Sequence, residues 1–196
     1  MKNSKNLRKW LDDMNLSHPL LIAGPCSAET ENQVLDIAHQ LKDSDTIVYR
    51  AGIWKPRTRP GNFEGVGSLA LQWMKKVKKE TGILTTTEVA NANHVDLALK
   101  NEIDILWIGA RTTVSPFIVQ EIAEALRGTE KIILIKNPVN PDLSLWLGAI
   151  ERFFSSNIKI LEQYIEGFQH MKKQNIEIIQ SGKLRLIFKE DFLICH

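Results

Sequence analysis

Cysteine is scarce. The 196 residues contain two, Cys26 and Cys195, too few and too far apart for a disulfide framework, so a reducing compartment is expected. Long apolar runs are missing as well, and nothing approaches the roughly 18 apolar residues of a membrane span. The opening Met-Lys-Asn-Ser-Lys-Asn is not followed by the apolar segment of a secretion signal. A cytoplasmic, soluble chain with no membrane partner is therefore expected. Charge of one sign is lacking too: 25 Lys and Arg against 23 Asp and Glu leave +2, which gives no ground for a nucleic-acid partner. The chain holds no Gly-rich dinucleotide fingerprint, no P-loop, no internal repeat and no linker. At 43% apolar and 24% charged it reads as one globular domain, long enough for a substantial core.

What is present is an alternation. Short apolar runs recur at Leu20–Ala23, Thr46–Tyr49, Ile83–Thr85, Ile105–Ile108 and Ile132–Ile135. Uninterrupted runs of this length suit strands buried on both faces of a parallel sheet. Helical patterns lie between them. Thr30 with Gln33 forms a capping box ahead of Val34, Ala38 and Leu41. Leu69, Trp73 and Val77 make a second stripe, and Val95, Ala98 and Leu99 a third. Ser115-Pro116 opens a fourth through Ile118, Ile122 and Leu126. Trp146, Ala149, Ile150 and Phe153 make the fifth. Such βα units fit either a doubly wound sheet or a (β/α)8 barrel.

The placement of the polar residues favours the barrel. Gly24-Pro-Cys-Ser-Ala-Glu29 follows the first run and a cationic loop the second. The third ends in Thr87-Glu88, the fourth in Gly109-Ala-Arg111 and the fifth in Lys136. Chemically capable residues thus stand at the C-terminal end of every strand, where barrel active sites are built. A doubly wound sheet would gather them at one switch point.

The cationic loop is the densest of these. Arg50, Lys55, Arg57 and Arg59 fall within Arg50–Arg59, with Pro56 and Pro60 stiffening the backbone around them. Arg57 offers a planar fork of donors, Lys55 a point charge and Thr58 a hydroxyl, a set suited to phosphate and carboxylate groups. A solvated basic loop is the plainer alternative. With Arg111 and Lys136 also at strand ends, several cations converge on one mouth. An anionic ligand with two or more acidic groups is their expected partner. His39 and His94 fall within helices and read as structural or exposed.

Lys55-Pro-Arg-Thr58, with Arg50-Ala-Gly52 before it and Phe63-Glu-Gly-Val-Gly67 after it, resembles the sugar-phosphate loop of the 3-deoxy-7-phosphoheptulonate (DAHP) synthases. The match in order covers roughly residues 19–155. It implies an α/β chain of the (β/α)8 TIM-barrel family that condenses phosphoenolpyruvate with erythrose 4-phosphate, the first step of aromatic amino acid biosynthesis. It further implies that Arg50, Lys55, Arg111 and Lys136 bind phosphoenolpyruvate, that Arg57 and Thr58 contact erythrose 4-phosphate, and that Pro56 and Ala110 also belong to the substrate-binding set. Lys55 and Glu88 would be catalytic, with Glu88 beside the reacting carbons. Cys26 would be one ligand of a divalent ion (Mn2+, Fe2+, Zn2+ or Co2+), although a lone cysteine is more often a small buried apolar residue. The resemblance also implies a homo-oligomer for a full-length protein. Asn137-Pro-Val-Asn-Pro141 and Arg59 depart from many relatives and point to the branch often fused to chorismate mutase. The related 3-deoxy-octulosonate 8-phosphate synthases, which lack Lys-Pro-Arg-Thr, are the alternative enzyme, and a non-catalytic anion-binding remnant is the alternative of another kind.

After about Ile160 the resemblance ends. The expected organisation is a leader at 1–18, a partial barrel of about five and a half βα units at 19–160, and a non-homologous tail at 161–196 with a short helix near Tyr164–Met171 as one reading of it. A one-base shift near the Leu161 codon would convert the start of the tail to Gly-Ala-Ile-His-Arg-Gly-Phe-Ser, which is similar to the family's sixth-strand segment. A frameshifted, C-terminally truncated and catalytically impaired chain is expected on that reading.

Overall fold

A computed structural model describes residues 20–44, 46–140, 142–164 and 192–195. Its strands are β1 (Leu20–Ala23), β2 (Thr46–Arg50), β3 (Leu84–Val89), β4 (Ile105–Ile108), β5 (Ile132–Lys136), β6 (Lys159–Tyr164) and β7 (Phe192–Cys195). Between them run α1 (Glu31–Leu41), α2 (Leu69–Thr81), α3 (Ala92–Lys100), α4 (Pro116–Ala125) and α5 (Leu143–Ser155). Five βα units and a sixth strand match the expected five and a half. The proposed leader and residues 165–171 of the helix suggested near Tyr164–Met171 lie outside the described residues, while Tyr164 itself ends β6.

The sheet order is β6-β5-β4-β3-β2-β1-β7, with every adjacent pair parallel. Strands β1 to β6 therefore follow one another sideways without reversal, as in a barrel wall. A doubly wound sheet would reverse direction at a switch point. β7 pairs with β1 in register, Ala23 opposite Cys195, on the edge that a closing strand takes in a complete barrel.

Parity fixes which side chains face where. Tyr49 is fully buried and its hydroxyl donates to the Val34 carbonyl at 2.8 Å, so Tyr49 points outward to α1. Its neighbour Arg50 must then face the inner side of the sheet. Pairing of Arg50 with Thr86, Glu88 with Trp107, and Trp107 with Leu134 carries that face across the wall to Lys136. On the outer side, Val77, Val95, Ile122 and Phe153 from the helices close over Ile108, Ile133 and Ile135 to form the core.

Helix ends follow from local chemistry. The Thr30 hydroxyl accepts from the Gln33 amide at 3.2 Å, Asn91 from the His94 amide at 2.8 Å and Asp142 from the Leu145 amide at 3.0 Å. Several expectations need correction. Gln33 Oε1 accepts from the Glu29 amide rather than from Thr30, so the capping box closes one residue early. Ser115 sits at its N-cap without a side-chain bond, leaving Pro116 to set the start. β3 begins at Leu84, not Ile83, and runs on to Val89, because three β-branched threonines extend it. Leu69 and Ile118 are exposed; the buried stripes are Ala70, Leu71, Trp73, Met74 and Val77 in α2, and Val119, Ile122 and Ala123 in α4.

Candidate functional site

At the C-terminal rim of the sheet the inner face is not apolar. Arg50, the last residue of β2, is 5% exposed, and its guanidinium carbon lies 5.0 Å from the Trp107 ring centroid. This spacing allows a cation–π contact. Among the described residues its buried Nε has no hydrogen-bond partner. On the same ring, Lys136 Nζ stands 6.0 Å from the centroid. Glu88 accepts from Trp107 Nε1 through Oε2 at 3.1 Å. Trp107 thus organises an acid and two cations. Its position inside an apolar run gave no sign of this.

Burial pushes the Glu88 carboxyl above the usual carboxylate range. The Trp107 hydrogen bond and the charges of Lys136, Lys55 and Arg50 oppose that rise without cancelling it. Space for the carboxylate comes from Gly109: a Cβ there would lie 1.9 Å from Glu88 Oε1. The ends of β4 and β5 are tied together by Thr113, whose hydroxyl donates to the carbonyls of Gly109 (3.0 Å) and Lys136 (2.9 Å).

The cationic loop is closed at its base. The Lys55 amide donates to the Glu64 carbonyl at 2.8 Å and the Gly67 amide to the Ile53 carbonyl at 2.9 Å. Gly65 makes the crossing possible, with φ of 97° and its hypothetical Cβ 2.1 Å from the Ile53 oxygen. Lys55 Nζ donates to the Cys26 carbonyl at 2.6 Å and lies 3.4 Å from the Cys26 sulfur. Arg57 is exposed, and its Nε donates to the Phe63 carbonyl at 3.0 Å. Arg111 is exposed on the turn after β4, and its Nε donates to the Thr58 hydroxyl at 3.3 Å, joining the β4 turn to the loop. Pro56 and Ala110 are half-buried beside these cations in sequence.

Of the residues picked from sequence, the structure brings Arg50, Glu88 and Lys136 around Trp107, couples Lys55 to Cys26, and couples Arg111 to Thr58. Cys26 is exposed rather than a buried apolar residue. Among the described residues no group of three or more His, Cys, Asp or Glu side chains could hold a metal ion, and Cys26 has an ammonium as its neighbour instead. The described residues do not by themselves fit a divalent metal centre. His39 bridges α1 to α2 through Glu80 at 2.9 Å, as a structural residue would. His94 is different: its ring stacks on Trp54, centroids 3.9 Å apart and planes 5° from parallel. Sequence reasoning missed that contact, because Trp54 belongs to the loop and His94 to a helix.

Comparison with known proteins bears on these features. The model of the DAHP synthetase I family matches residues 15–185, a span that takes in part of the segment read as a tail. A phospho-2-dehydro-3-deoxyheptonate aldolase of Thermotoga maritima is 28% identical over 175 residues, 88% of this chain and 50% of the relative. A 2-dehydro-3-deoxyphosphooctonate aldolase of Laribacter hongkongensis is 35% identical over 102 residues, 48% of this chain and 36% of the relative. The crystal structure of the Thermotoga maritima DAHP synthase superposes with a TM-score of 0.62 at 25% identity, covering 79% of this chain and 44% of that one. A truncated form of the Thermotoga maritima 3-deoxy-D-arabino-heptulosonate 7-phosphate synthase gives 0.59 at 24% identity, a likeness of fold, covering 79% and 55%. The chain spans about half or less of the length of these curated relatives.

Proposed function

The chain belongs to the DAHP synthetase I family, and on that premise we propose that its sheet rim forms the phosphoenolpyruvate side of a site for condensing phosphoenolpyruvate with erythrose 4-phosphate. The observation that carries the reading is the buried Arg50 guanidinium with an unpartnered Nε, set against Trp107 and in the same field as Lys136 and Lys55. A buried guanidinium with an unpartnered Nε favours an anionic ligand that replaces its lost hydration. Phosphoenolpyruvate carries a carboxylate and a phosphate, enough for both ends of the group.

In the reaction, C3 of phosphoenolpyruvate attacks the aldehyde carbon, water attacks C2, and inorganic phosphate leaves. Arg50, Arg111 and Lys136 would hold the acidic groups so that C3 faces the aldehyde. Arg57 and Thr58, with the neighbouring Pro56 and Ala110 shaping the backbone, would receive the sugar phosphate. Lys55 would stabilise developing negative charge. Glu88, its carboxyl pushed above the usual range by burial, is suited to exchanging a proton with the reacting atoms. A divalent ion, implied by the family resemblance, would supply Lewis-acid polarisation of an aldehyde oxygen, but the described residues do not by themselves complete a site for it. Cys26 is the donor that the resemblance offers, and the roles given to the other residues do not involve the ion.

Domain limits of 19–160 for the partial barrel and 161–196 for a frameshifted tail are part of the same proposal, as are a cytoplasmic location and self-association of a full-length protein. The test is phosphate release from phosphoenolpyruvate by the purified chain with added divalent metals. Release that requires erythrose 4-phosphate and disappears in K55M supports the reading. Release with a longer aldose phosphate but not with erythrose 4-phosphate supports the octulosonate alternative, which the matched phosphooctonate aldolases keep in view. Binding of phosphoenolpyruvate without any release supports an anion-binding remnant. Binding of neither substrate contradicts the proposal.

A further inference from the structure

The base of the cationic loop rests on a helix that the chemistry above does not use. Trp54 immediately precedes Lys55-Pro56-Arg57-Thr58, and its ring lies flat on His94 in the first turn of α3, 3.9 Å between centroids and 5° from parallel. The His94 ring is itself fixed. Its backbone amide donates to the Asn91 cap at 2.8 Å, and Nδ1 accepts from the Ala90 amide at 3.3 Å, which leaves Nε2 as the protonated nitrogen of the neutral ring. Burial pushes its pKa down, and a positive charge at a helix N-terminus would be disfavoured as well, so the stacked ring is the neutral form.

We propose that His94 is a positioning residue for the phosphate-binding loop: through Trp54 it sets where Lys55, Arg57 and Thr58 are presented. This deepens the synthase reading and rests on it for the identity of the ligands. The physical case is one of constraint. Past Thr58 the loop is exposed, with a crossing between its two ends at Lys55–Glu64 and Ile53–Gly67. That crossing closes the loop on itself but does not orient it relative to the sheet. Side-chain contacts do so: Lys55 to the Cys26 carbonyl and Trp54 to His94 at its base, and Arg111 to the Thr58 hydroxyl further along. A ligand that draws Lys55 away from Cys26 leaves the stack as the anchor at the base, with the Arg111–Thr58 bond holding the loop further along, so the stack matters most then. Parallel stacking of two planar rings also fixes tilt, which a methylene contact would not.

The experiment compares H94Q, which keeps an acceptor but not a ring, with H94F, which keeps a ring but not the acceptor. Hydrogen exchange is followed at the Lys55 and Gly67 amides of the full chain, with the Val95 amide, bonded to the Asn91 carbonyl, as the report on α3 itself. H94Q is expected to speed exchange at Lys55 and Gly67 by up to about tenfold and to leave Val95 unchanged, while H94F stays close to wild type. Affinity for phosphoenolpyruvate and erythrose 4-phosphate should fall in H94Q by a similar factor and hold in H94F. Unchanged loop amides in H94Q overturn the proposal. So does equal acceleration in H94F, or acceleration of Val95 along with the loop, either of which marks an ordinary structural role. If the wild-type chain binds neither ligand, the synthase reading fails, while the exchange measurement still decides the positioning role.

Discussion

The two rims of the sheet handle charge in opposite ways. At the N-terminal rim every named charge has a partner. Asp104 accepts from the Thr85 amide (2.9 Å) and hydroxyl (3.1 Å) and pairs with Lys78 at 2.5 Å; Lys131 donates to the Ile103 carbonyl at 2.5 Å; Lys75 meets Glu102 at 2.8 Å. At the C-terminal rim, Arg50 Nε and Ser27 Oγ are buried without partners among the described residues, as is Thr86 Oγ1 on the strand paired with Arg50, and Glu88 is held by burial away from its ordinary ionisation. Polar groups satisfied within the protein serve stability, and groups left unsatisfied imply something still to bind. On the proposed reading, one sheet keeps its structural electrostatics at one end and turns its electrostatics toward a ligand at the other.

Substitutions at the two rims should therefore separate binding from stability. The largest effect is expected from Arg50→Met, which removes a buried cation. Affinity for phosphoenolpyruvate should drop by about 100-fold in calorimetric titration, with no loss of thermal stability. Asp104→Ala should do the reverse. It strands the Thr85 amide and Lys78, and since the pair is partly exposed the loss is about 2 kcal/mol, seen as a drop in Tm of roughly 4–8 °C with ligand affinity unchanged. A fall in affinity on that substitution would break the division between the rims.

Gly109→Ala tests the crowding around Glu88. The new methyl would meet the carboxylate at 1.9 Å, so the side chain must leave Trp107, at a cost of about 1–2 kcal/mol in a melting experiment. The smallest effect is expected from Glu88→Gln. The folded-state pKa of Glu88 lies above its unfolded value, so the stability linked to its protonation is present at acid pH and is lost as pH rises through the raised value. Gln cannot ionise. The variant should therefore melt above wild type near pH 7, with the difference shrinking toward about pH 4. A variant that melts lower at pH 7 would mean that the three nearby cations outweigh burial.

Much of the frame was legible from sequence, for reasons the fold makes plain. β1, β2, β4 and β5 are continuous apolar runs because both faces of a parallel wall are covered. β3 was placed a residue early because its buried positions are threonines, which satisfy the sheet's shape but not a hydrophobic pattern. The cations were legible because charge directly after an apolar run stands out. Trp107 was not, since an aromatic residue within such a run reads as core whichever face it takes. His94 was not either: a helical period assigns a residue to a face, but says nothing about a loop folding back onto the helix start.

The most direct measurement is a calorimetric titration of the wild-type chain with phosphoenolpyruvate at two salt concentrations. The expected result is saturable binding that weakens as salt rises, because the rim cations receive an anion in partly open surroundings. No saturable heat up to about 10 mM ligand, or binding indifferent to salt, would contradict the assignment of that rim to an anionic substrate.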